Sequence, residues 1–200
     1  DIYNKIYDED NESYIRLFNN LAYNHYFMKD YEKAIYYYKK MIPLNILYKG
    51  TLSSETARNY ENLGYSFRSL GLQDSTIKYY IKCSEIYEHL NTVKPGFWYD
   101  IGLYYFKSDP DTALFYFNRY NQATVDSEEG SLINSAPSFY NTALLYQNRG
   151  DYYNSVDNFK KALNLYSAGY GSKNKELIGT IENIADIYTD IKEYDSALVY

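Results

Sequence analysis

Five amide or carboxylate side chains recur at one register of this 200-residue chain: Asn20, Asn62, Asp100, Asn141 and Asn183. Asparagine is a mediocre helix former because its side chain competes for nearby backbone groups, so its return in the middle of successive helices needs a cause. A carboxamide carries both an acceptor oxygen and N–H donors, which match the N–H and C=O of an extended peptide main chain. Two readings are open. Either the column lines a groove and holds a peptide with little regard to its side chains, or it bonds across to the adjacent helix and fixes the stacking. Three residues after each member stand Tyr23, Tyr65, Leu103, Leu144 and Asp186, and three further on Tyr26, Arg68, Phe106, Gln147 and Thr189. The aromatic members would form pockets for side-chain anchors. The two leucines suit packing against the next repeat. Arg16, Arg58 and Arg68 fall on this side early, and Asp100, Glu182, Asp186 and Asp190 fall there late. A ligand with one acidic and one basic end would be oriented by such a division. The candidate contacts are therefore Asn20, Asn62, Asp100, Asn141, Asn183, Tyr23, Tyr65, Arg58 and Arg68.

Catalytic chemistry lacks its parts. Cys83 is the only cysteine, which excludes an intramolecular disulfide framework and a cysteine-rich zinc module. It stands at the register held elsewhere by Met41, Tyr120 and Ala162, where a small buried hydrophobe is expected rather than a nucleophile. His25 takes the position of Phe67, Tyr105, Tyr146 and Tyr188, and His89 falls near a helix end, where partial positive charge is favourable. The clustered carboxylates Asp8-Glu9-Asp10 and Glu128-Glu129 sit in links. No glycine-rich phosphate loop and no zinc spacing is present, so no cofactor or metal is expected. The net charge of −6 and a pI near 5.0 argue against nucleic acid and anionic membranes. The 29 tyrosines read mainly as structural, with one ring entering the core and its neighbour keeping a wet hydroxyl at the rim.

The elements that would position these residues repeat along the chain. A small residue marks each unit at Ala22, Gly64, Gly102, Ala143 and Ala185. Ala34, Thr76, Ala113, Ser155 and Ala197 follow eleven or twelve residues later, and Tyr38, Tyr80, Phe117 and Phe159 four after those. Phe18, Leu21, Ala22 and His25 share one face of a first helix, and Tyr31, Ala34, Ile35, Tyr38 and Met41 form the buried stripe of a second. Small residues belong where two helix axes approach closely. Gly71 and Gly150 stand where a helix end wants a left-handed residue.

Helix–turn–helix units with these landmarks resemble tetratricopeptide repeats, whose usual length is about 34 residues. The longer period here resembles the kinesin-light-chain type, common in bacterial sensor and scaffold proteins and in fusions to CHAT proteases. The resemblance implies an all-α, right-handed superhelix of about five stacked units, with a concave groove whose asparagines contact peptide backbone. The third unit departs from the pattern: its turn, Ser108-Asp109-Pro110-Asp111, lacks glycine and is shorter, so curvature should change there.

We expect one array with repeats near 12–50, 52–91, 95–126, 135–171 and 173–200, the last incomplete, and residues 1–11 as the tail of a preceding unit. Residues 2–20 match 165–183 at constant offset, so both ends read as cuts in a longer array. The expected role is a non-enzymatic module binding an extended peptide or partner segment. The alternative is a regulatory arm of a larger enzyme, a CHAT-type protease or signalling ATPase, with catalysis elsewhere in the parent chain. A lone cysteine and no visible leader fit a cytoplasmic setting.

Overall fold

The computed structural model describes residues 11–92, 94–125, 133–170 and 175–200. The expected tail of a preceding unit and both acidic link clusters fall essentially outside them. The described residues are helical, with no strand. Contacts group the chain into two units, one ending at Phe97 and the other beginning at Trp98.

In the first unit, α1 (Asn11–Phe27) pairs with α2 (Tyr31–Lys49), and α3 (Ser54–Ser69) pairs with α4 (Gln73–His89). The α2 helix also packs against α3, so the hairpins stack in series. Ala22, Ala34, Ile35, Tyr38 and Met41 share one core cluster with Leu63 and Phe67 of the next hairpin. Burying side chains the size of Leu63 and Phe67 contributes about 1.5–3 kcal/mol each. The small landmark meets the aromatic landmark directly: a Cβ placed on Gly64 would lie 2.6 Å from Cε1 of Tyr80, a ring with no exposed surface. That contact sets the close approach of α3 and α4.

The α1–α2 turn needs a left-handed residue and takes one from Lys29 (φ 61°), whereas the α3–α4 turn uses Gly71 (φ 73°). At Gly71 the chain closes with Gly71 N–H donating to Arg68 C=O and Leu72 N–H to Phe67 C=O, satisfying carbonyls that the helix end would otherwise leave unpaired. Asp30 caps α2 by accepting from the Lys33 amide, and the Lys33 ammonium beside it holds its carboxyl below the usual carboxylate range.

The second unit takes in α5 (Gly96–Tyr105) from Trp98 onward and α6 (Pro110–Val125), followed by a 3-10 turn at Ile133–Ser135. Then come α7 (Ala136–Asn148), α8 (Tyr152–Tyr170), α9 (Lys175–Asp190) and the short α10 (Tyr194–Ala197). A Cβ on Gly102 would lie 2.6 Å from Cε1 of Phe117, repeating the landmark contact of the first unit. Ala143, Val156 and Phe159 form a cluster with Ile184 and Ile187, which stacks the α7–α8 hairpin on α9. Gly150 (φ 73°) and Lys192 (φ 63°) supply the left-handed turn residues. The shorter α5–α6 turn dispenses with one. There Asp109 donates its N–H to Tyr105 C=O and accepts from the N–H and hydroxyl of Thr112, capping α6 as Asp30 caps α2.

Candidate binding face

The nine candidate contacts lie on the first helices of the hairpins, and they differ in what they touch. On α1, Asn20 is exposed and Tyr23 is 55% exposed, its ring 4.4 Å from that of Phe27. Phe27 and Met28 are more exposed still, at 63% and 73%, and sequence reasoning passed over both. Their position at the end of α1, beyond the repeat landmarks, was the signal available. Asn20, Tyr23 and Phe27 follow at three- and four-residue spacing, so an amide and an apolar ring pair share one stripe.

On α3, Arg58 and Arg68 are exposed, Asn62 is half-buried and Tyr65 is one-third exposed. Tyr65 is anchored: its hydroxyl donates to Glu61 Oε1 at 3.3 Å, and its ring meets Tyr80 edge-on. Glu61 is the centre of a network that the sequence did not announce. Its Oε2 accepts from the Tyr87 hydroxyl at 2.5 Å and from Lys94 Nζ at 2.7 Å, while Lys94 also lies over the Tyr87 ring at 4.4 Å. Burial, with the Glu61 carboxylate alongside, holds the Tyr87 hydroxyl in its protonated form well above the ordinary tyrosine range. The network ties the residues after α4 back to α3, the helix that carries Asn62 and Tyr65.

In the second unit the column makes contacts between hairpins. Asn183 Nδ2 donates to the Tyr140 hydroxyl at 3.1 Å and to Gly179 C=O at 2.7 Å. Asn141 is hydrogen-bonded to Tyr99, whose hydroxyl pKa is raised chiefly by burial, then by Tyr120 and Asp100, with the Asn141 bond acting the other way. Each amide thus meets the tyrosine that stands one residue before the column position of the preceding first helix. Asp100 is half-buried beside Tyr99. Leu103 is 44% exposed, whereas Leu144 packs against the core. For Asn62 the corresponding earlier residue is Asn19, which has no phenolic hydroxyl to offer.

Cys83 has no exposed surface and its thiol donates to Tyr80 C=O at 3.2 Å. Burial pushes its pKa up to about 12, so no thiolate is at hand for nucleophilic chemistry. His25 is half-buried, stacked on Tyr37 at 5.5 Å with Nδ1 3.2 Å from Asp30 Oδ2. Among the described residues no group of three or more His, Cys, Asp or Glu side chains could hold a metal ion. No described helix is long and apolar enough to cross a membrane.

The tetratricopeptide repeat family model matches residues 15–45, 57–89 and 136–168. These spans run along α1–α2, α3–α4 and α7–α8; the short-turned α5–α6 hairpin is not among them. A curated relative, the clustered mitochondria protein homolog of Candida albicans, is 36% identical over 61 residues, which is 30% of this chain and 4% of that protein. The chain therefore spans a small part of that relative's length. Among solved structures, MamA superposes with a TM-score of 0.63 at 17% identity, over 94% of this chain and 88% of that one. A Podosopora anserina putative kinesin light chain with nearly identical TPR-like repeats gives 0.59 at 10% identity, over 96% and 92%. At such identities the likeness concerns the fold. Repeat matches in both units, serial helical hairpins and small-against-aromatic landmarks together make this chain a tetratricopeptide-repeat array, the architecture of a protein–protein interaction scaffold.

Proposed function

We propose that the chain binds an extended peptide or partner segment along its first-helix face. The observation that carries this is the open stripe of Asn20, Tyr23 and Phe27 on α1, with Met28 just after it, which places a main-chain-matching amide beside exposed apolar rings. Asn62 and Tyr65 on α3 offer the same pairing, and Arg58 and Arg68 suit a ligand carrying an acidic side chain. The second unit carries the corresponding column residues Asp100, Asn141 and Asn183, which form its own proposed contacts. Asn141 and Asn183 reach a ligand only with the acceptor capacity left beyond their tyrosine bonds. Binding of this kind needs no chemistry: amide pairing holds the segment, and the rings choose among side chains. The free Cys83 thiol accords with a cytoplasmic setting for the interaction.

The test is to pan a random-peptide phage library on the wild-type chain and titrate the selected peptides against Asn20→Ala/Asn62→Ala and Tyr23→Ala variants. Each variant should weaken binding about tenfold, with an unchanged urea midpoint, as loss of a hydrogen-bonded or aromatic anchor does. Selected peptides that bind both variants as tightly as the wild type would remove this face from consideration.

A further inference from the structure

A second set of amides lies away from the first-helix face. Helices α6 and α8, the second helices of their hairpins, border a cleft of about 680 Å³ above Phe139 of α7. Asn118, Asn121 and Gln122 line it from α6, and Asn154, Asn158 and Asn164 line it from α8. Asparagine is unfavourable within helices, so its gathering on facing stripes of two helices asks for a reason. The charged pair in the cleft, Asp157 and Lys161, is closed on itself at 2.6 Å, with Lys161 also resting 6.0 Å from the Phe139 ring centre. The cleft therefore presents neutral carboxamides over an apolar floor, a poor match for phosphate, metal or nucleic acid.

Asn121 marks the unmet requirement. It is 5% exposed, its Nδ2 donates to Thr142 Oγ1 at 3.3 Å, and its Oδ1 has no hydrogen-bond partner. A buried acceptor left without a donor is costly, so any ligand N–H that reaches it gains what the folded chain lacks. Asn121 lines the cleft from α6, in company with Gln122 and with Lys161 of α8. From the orphaned Asn121 oxygen at the base of a neutral, amide-walled cleft, we infer a second binding site, specific for an extended polypeptide main chain. A main-chain N–H would donate to Asn121 Oδ1, its carbonyls would accept from the exposed amides of Asn118 and Asn164, and an apolar side chain would rest towards Phe139.

The probe is capped triglycine, which carries main-chain amides and no side chains, titrated into the ¹⁵N-labelled chain to about 20 mM, the range suited to a short flexible ligand. Side-chain amide signals of Asn118, Asn121 and Asn164 should shift together and saturate. Asn121→Ala should weaken that binding about tenfold, as should Asn118→Ala/Asn164→Ala, whose exposed sites leave folding intact. In Asn20→Ala/Asn62→Ala the shifts should persist, which separates this site from the first-helix face. Absence of shifts at the α6 and α8 amides overturns the inference. So does equal binding by the Asn118→Ala/Asn164→Ala variant, or selective binding of maltotriose in place of triglycine.

Discussion

If Asn183 acts as an inter-hairpin clamp, its bond to Tyr140 should be measurable as a coupling free energy. The single substitution Asn183→Ala is a poor gauge. It removes the 3.1 Å bond to the Tyr140 hydroxyl and the 2.7 Å bond to Gly179 C=O, yet replaces asparagine with a better helix former. The propensity gain, about 0.5 kcal/mol, opposes a loss of about 0.5–1.5 kcal/mol for each of the two neutral hydrogen bonds. The net change, about 0.5–2.5 kcal/mol, therefore mixes three effects. A double-mutant cycle with Tyr140→Phe cancels both the propensity and the Gly179 bond, since each is lost equally on either side of the cycle. The remaining coupling should be about 1 kcal/mol, read from urea denaturation of the four proteins by circular dichroism. Asn20→Ala should by contrast leave the urea midpoint unchanged or slightly raised, because Asn20 is exposed and only the propensity changes. A coupling below about 0.3 kcal/mol, within the scatter of independent sites, would refute the clamp and return Asn183 to the open column.

Gly64→Val drives side-chain carbons into the buried Tyr80 ring and should cost about 1–3 kcal/mol, seen as a lower melting temperature; an unchanged melting temperature would contradict the contact. Glu61→Ala strands the Tyr87 hydroxyl and the Lys94 ammonium, and should lower stability by about 1–3 kcal/mol in urea titrations. At high pH the sign follows from burial, which raises Tyr38 from 10.0 to about 12 in the folded chain. The folded state keeps a proton that the unfolded state releases, so this contribution is intact below pH 10 and is lost as pH climbs to 12. The decline should be about 1.4 kcal/mol per pH unit for this group, and Tyr38→Phe should flatten it. Equal slopes for the two proteins between pH 10 and 12 would exclude Tyr38 as the source.

Much of the scaffold was readable from residue spacing because helix packing tolerates few substitutes at closest approach. Gly64 and Gly102 had to be small, since the rings of Tyr80 and Phe117 occupy the space a Cβ would need. Gly71 and Gly150 disclosed their left-handed turns through the absence of a side chain. Lys29 and Lys192 adopt the same conformation without such a sign, held there by the closing hydrogen bonds of the turn. The candidate face was less legible. In the second unit an asparagine at the column register bonds a neighbouring hairpin through the tyrosine that stands a whole repeat earlier. Tyr99 and Tyr140 occupy Asn141 and Asn183, whereas Asn19 stands at that place before Asn62.

The amino-acid sequence by itself determined a serial array of helical hairpins, because small, small and aromatic residues in constant register leave the backbone one economical way to pack. Tertiary structure alone decided which polar groups are engaged and which remain open. Hydrogen bonding couples residues some forty positions apart through distance and direction, and neither is encoded in the identity of either partner. The Glu61 network and the amide-walled cleft of α6 and α8 belong to this second kind. Each assembles side chains from separate stretches of the chain, which only helix packing brings together.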